Sequence, residues 1–205
     1  MPLFKSINRL KLSDSLIKEI LQYLFSFSIA WVIASLFSDF PFFSQPIENS
    51  GFTEYYRDFL MGLTNQQLHG LGHQTFWYGN TLGIEGTAGL IFAYGCLGYR
   101  ILLFFVVFIV FQFGSFFHKI WYLLLGIFLI TWINSLRVVI IALGQFHNPD
   151  YTVLIHDTVS PVLMYPLLLA LWLIWLKIFG KVPETETMLY KIVKFIAKAP
   201  LFNSK

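Results

Sequence analysis

The chain has 205 residues, of which 57% are hydrophobic and 12% charged, and it carries a net charge of +3. Its mean hydropathy is +0.67, whereas a soluble domain carries about 25% charged residues, so the composition excludes an ordinary soluble globular protein and points to a polytopic membrane protein. Cys96 is the single cysteine, which excludes an intramolecular disulfide and the paired-cysteine spacings of zinc or iron–sulfur sites.

A membrane-crossing helix needs about 20 mainly apolar residues. Residues 1–19 form a basic tail with Lys5, Arg9, Lys11 and Lys18. The first predicted span runs from Ile20 to Phe37 and lacks a small-x-small cleavage site after it, so it reads as a retained helix and not a signal peptide. Residues 38–85 follow as a loop in which Phe40, Phe42, Phe43, Tyr55 and Tyr56 either line a substrate path or, as aromatics commonly do, lie at the lipid headgroups. His69 and His73 have metal-chelating spacing if helical, but Gly70 and Gly72 argue against a helix there. No metal or other cofactor is expected.

Glu85 is expected to start a helix. The stretch from Gly86 to Cys96 is apolar, short and glycine-bearing, and reads as a re-entrant or interfacial piece or as the beginning of the second span. That span is predicted from Tyr99 to about Phe117, with a short turn at His118-Lys119. The third runs from Ile120 to Leu136, and its apolar character continues past Arg137 to about Phe146. The fourth covers Val159 to Phe179, with Pro161 and Pro166 near its start. Residues 181–205 read either as a basic amphipathic helix on the membrane surface or as a basic tail without fixed structure.

The expected fold class is therefore all-α: one integral membrane domain with four transmembrane helices. Both tails are basic, which places both in the cytoplasm. The loop of residues 38–85 and the loop from His147 to Thr158 then face outward. Together they hold seven of the eleven acidic residues and one basic side chain, Arg57, so charge bias and hydropathy agree. Residues 85–180 form the expected catalytic core.

This topology brings three chemically capable residues to one depth. Cys96 precedes the second span, Arg137 lies where the third returns, and His156 opens the fourth. Ionisable groups at such positions are costly and mark function. A thiol is a useful nucleophile only as thiolate, which a nearby cation or base promotes. Arg137 is a permanent cation able to stabilise a thiolate or an oxyanion, and His156 is a proton carrier. Asn134 and Asp157 are candidates to orient partners. Arg100, four residues after Cys96, shares its face if one helix covers both, or else is an interfacial anchor. Gly95 and Gly98 leave room for an extended peptide. The competing reading is a non-enzymatic transport or assembly component with a structural cysteine.

At Gly95-Cys96-Leu97-Gly98, Lys119-Ile120-Trp121 with Gly126, Asn134-Ser135-Leu136-Arg137-Val138 and His156-Asp157, the chain resembles the exosortase/archaeosortase family, in particular its short, compact members. The resemblance covers roughly Glu85 to Tyr165. It implies a prokaryotic cell-membrane cysteine protease or transpeptidase, a thiol hydrolase of protein sorting. Such an enzyme cleaves C-terminal sorting signals of exported proteins on the extracytoplasmic side. It also implies catalytic roles for Cys96, Arg137 and His156. The expected partners are those substrates and the lipid bilayer, with no nucleic acid.

Overall fold

The computed structural model describes residues 14–179. The greater part of the basic N-terminal tail and the expected amphipathic helix of residues 181–205 lie outside the described residues.

Six α-helices and a small sheet make up the described chain. The helices are α1 (Asp14–Asp39), α2 (Pro41–Glu48), α3 (Gly51–Gly70), α4 (Tyr99–Phe111), α5 (Phe116–His147) and α6 (Thr152–Phe179). Between α3 and α4 lie β1 (Thr75–Tyr78), β2 (Thr81–Ile84), β3 (Leu90–Ile91) and a 3-10 turn over Tyr94–Leu97. A second 3-10 turn, Pro149–Tyr151, joins α5 to α6. Among the described residues, α1, α5 and α6 are long and apolar enough to cross a membrane.

The second predicted span differs from expectation. α4 has 13 residues, about 20 Å at about 1.5 Å per residue, too short for a core of about 30 Å. It stops because the chain reverses over Gln112–Ser115, where Gly114 has φ +136° and sits against the Trp175 ring. A side chain at Gly114 would strike that ring, so the turn is set here and not at His118-Lys119, which fall in the first turns of α5. The carbonyl of Phe111, freed at the end of α4, accepts hydrogen bonds from Gln22 Nε2 and Ser26 Oγ of α1. A helix end inside an apolar bundle needs such partners.

α5 is a single helix of 32 residues, roughly 48 Å long. Its first half packs in the bundle. There Phe105, Phe108, Ile109, Tyr122, Ile130, Leu171 and Trp175 form one buried cluster. Its second half rises beyond the bundle and is covered by α3 and the sheet, with Leu68, Ile84, Val139 and Ala142 as a separate small core. Apolar sequence past Arg137 thus has a covering layer of protein. We call that end of the molecule the cap.

The sheet was not expected from the sequence. Its order is β1-β2-β3, antiparallel throughout, with Tyr78 opposite Thr81 and Leu82 opposite Leu90. Gly79 and Asn80 form its two-residue hairpin turn, and Gly79 has φ +56°, as tight hairpins demand. Glu85 is therefore an exposed turn residue after β2 and not a helix start. The stretch from Gly86 to Cys96 is an edge strand and a 3-10 turn, not a re-entrant helix.

Candidate functional site

Cys96 lies in the 3-10 turn Tyr94–Leu97, which Gly98 ends at φ +79°. The left-handed conformation suits glycine, and a second constraint adds to it. A Cβ on Gly98 would lie 3.2 Å from Asn134 Nδ2. Asn134 is fully buried, and its Nδ2 donates to the carbonyls of Cys96 at 3.3 Å and Leu97 at 3.2 Å. Asn134 therefore clamps the backbone that carries the thiol.

Three tyrosines brace the same turn. Tyr99 stacks on Tyr94 at 5.1 Å and leans on Tyr56 at 5.4 Å between ring centroids. Their hydroxyls reach Thr53 at 3.0 Å, the Phe37 carbonyl at 3.2 Å and Thr131 at 3.2 Å, in the order Tyr99, Tyr94, Tyr56. Burial, with Tyr99 and Glu48 nearby, pushes the Tyr94 phenol above its usual pKa, so it stays a neutral donor. Burial does the same for Tyr56. The turn is therefore tied to α1, α3 and α5 together.

His156 stands on α6, four residues after the helix start, and its Nε2 is 3.9 Å from Cys96 Sγ. That is long for a proton-transfer contact, as such contacts often are before substrate binds. The other ring nitrogen, Nδ1, faces Asp157 Oδ1 at 3.1 Å. Asp157 is 71% exposed, so its hold on the ring is weakened by solvent. Pro161 denies the Asp157 carbonyl its helical partner, and Ser160 Oγ donates to the His156 carbonyl at 2.7 Å. The turn bearing the imidazole is shaped by these two residues.

Arg137 completes the cluster from α5. It is 5% exposed, and Cys96 is among the groups close enough to act on its charge. Its Nε has no partner. The Cys96 N–H, by contrast, is already donated to the Ala93 carbonyl at 2.8 Å. It is therefore already engaged. Gly95 has open space where a side chain would stand, so the approach beside the thiol is clear.

Arg100 departs from one of its two expectations. Gly98 breaks the chain direction between it and Cys96, so the two share no helix face. Arg100 turns to α1 instead, pairing with Asp39 at 3.3 Å, donating to Ser35 Oγ at 3.2 Å, and lying 5.2 Å from the Trp31 ring. Trp31, Ser35 and Asp39 were not singled out in the sequence, and only their i, i+4 spacing hinted at a shared face.

His69 and His73 are occupied elsewhere. His69 Nε2 meets Thr75 Oγ1 at 2.9 Å, and the His73 ring packs edge-on against Phe146. Among the described residues no group of three or more His, Cys, Asp or Glu side chains is clustered for a metal.

An apolar trough of about 650 Å³ opens beside the site between α1, α4 and α6. Arg137, Arg100, Gly95 and Gly98 border one end of it. No family model matches the chain, and no curated protein or solved structure does either.

Proposed function

We propose that the protein is a membrane-embedded cysteine peptidase or transpeptidase of exosortase/archaeosortase type, acting on C-terminal sorting signals of exported proteins. The observation that carries this reading is the convergence of Cys96, His156 and Arg137 from a turn and two separate helices. A thiol, an imidazole at 3.9 Å and a buried guanidinium meet where the bundle joins the cap.

In this reading α4 with its flanking turns counts as the fourth crossing, both tails lie in the cytoplasm, and the cap lies outside. The substrate backbone approaches over Gly95. His156 Nε2 takes the thiol proton as Cys96 Sγ attacks the scissile carbonyl. Arg137 stabilises the oxyanion that forms. The oxyanion collapses, the C–N bond breaks, and His156 gives its proton to the leaving amine. The thioester is then resolved by water or by an amine acceptor, with His156 again as base. Asp157 holds the imidazole, and Asn134 holds the turn.

The test is processing of an exported protein bearing a short motif, an apolar helix and a basic tail, followed by gel mobility in cells. Cys96→Ala and Cys96→Ser are both expected to lower processing by at least about 10³-fold, as loss of a nucleophile does. Full processing by Cys96→Ser would contradict the reading, because a packing role tolerates serine and a thioester does not.

A further inference from the structure

The trough has a length and a polarity of its own. Along α4 and the residue before it, its wall runs from Gly98 to Ile109, and along α1 from Ala34 to Tyr23. Such helical stretches span about 17 Å. That is little more than half of a hydrocarbon core of about 30 Å, the depth of one leaflet. A transmembrane helix needs the full thickness.

The inner wall is apolar and aromatic, with Phe104, Leu168 and Trp172 along it, while two guanidinium groups stand at the cap end. Asp39 offsets Arg100, but Arg137 is buried with Nε unpartnered. The mouth therefore carries buried positive charge with one donor, Arg137 Nε, still unused, at the level where lipid headgroups begin. Such a charge is costly beside hydrocarbon unless an anion meets it.

The geometry points to a resident lipid: a phospholipid of the cap-side leaflet, its anionic phosphate on Arg137 and Arg100 and one acyl chain laid along α1, α4 and α6. The occupant is an amphiphile because only an amphiphile matches both ends. It belongs to one leaflet because the trough ends halfway. The inference shares Arg137 with the proposed peptidase reaction but is read by a different assay, lipid retention and not processing.

Native mass spectrometry of the full chain in detergent tests it, with phosphatidylglycerol, a diacylglycerol of the same chains, and inorganic phosphate as probes. One phosphatidylglycerol is expected to stay bound, with the other two binding at least about tenfold more weakly, the difference a charge-assisted contact makes. Arg100→Gln is expected to weaken retention by about tenfold. Leu24→Trp, at a lipid-exposed position on the trough wall, is expected to abolish it without disturbing the fold. Equal binding of diacylglycerol, or unchanged binding in Leu24→Trp, would overturn the proposal. So would an apolar 20-residue helical peptide that displaces phosphatidylglycerol from the native chain, since a helix would then be the occupant.

Discussion

The two halves of α5 show opposite ways of using buried side chains. In the bundle half, the rings of Tyr122, Trp175 and Phe179 meet tilted or edge-on, with centroids 4.9 to 6.2 Å apart, and Gly126 lets Phe105 lie directly on the helix. The charged group there, Lys119, sits at the very start and donates to the Val110 carbonyl at 2.7 Å; beyond it, shape carries the energy. In the half toward the cap, Asn134, Ser135, Arg137 and Gln145 are buried on the same helix. Packing is interrupted by polar groups that clamp a turn or stand unpartnered. Lipid offers helices little hydrophobic drive to associate, so close packing holds such bundles. The aromatic layer supplies that packing, and the cap end is free to keep polar groups that cost stability.

This contrast is breakable. His156→Ala is expected to lower processing by about 10²–10⁴-fold, the usual range for a general base, with unchanged thermal stability by differential scanning fluorimetry. Arg137→Gln is expected to cost about 10²–10³-fold in the same assay, as removal of one oxyanion donor does. Trp175→Ala should behave in the opposite way. It is expected to lose on the order of 2 kcal/mol of packing, seen as a lower unfolding midpoint, with residual activity per folded molecule near native. Gly98→Ala sits between the two layers. Forcing Cβ into the left-handed region costs about 1–2 kcal/mol, and the crowding of Asn134 should disturb the thiol turn, so both readouts are expected to fall. Asp157→Asn should have the smallest effect, about fivefold in rate, equivalent to roughly 1 kcal/mol for a solvent-exposed pair. A large effect of Trp175→Ala on rate, or of His156→Ala on stability, would erase the distinction between the layers.

Much of this was legible in the sequence, for physical reasons. α1, α5 and α6 are long apolar runs, and length against bilayer thickness is a strong signal. The approach of Cys96 to His156 was expected from counting residues along helices, although that count set the turn at His118-Lys119 and the chain reverses at Gln112–Ser115. The short α4 was not legible, because it depends on Gly114 meeting Trp175 from a helix more than 50 residues away. The sheet escaped notice because its strands hold only four, four and two residues. Its Gly79-Asn80 turn was a usable signal, as a two-residue glycine-containing turn between β-prone runs marks a hairpin. The tether of Arg100 to α1 was hidden for a different cause. A helix start and an ion pair look alike until the partner helix is in place.

The most direct measurement is the rate at which the single thiol reacts with a membrane-impermeant reagent in intact cells. It would be taken across pH for the native chain, Arg137→Gln and His156→Ala. If Cys96 is an activated nucleophile on the outer side, the native thiol labels rapidly near neutral pH and both variants label at least about tenfold more slowly there, the neighbours that promote the thiolate having been removed. An ordinary thiol profile, the same in all three chains, would contradict the central role assigned to the cluster.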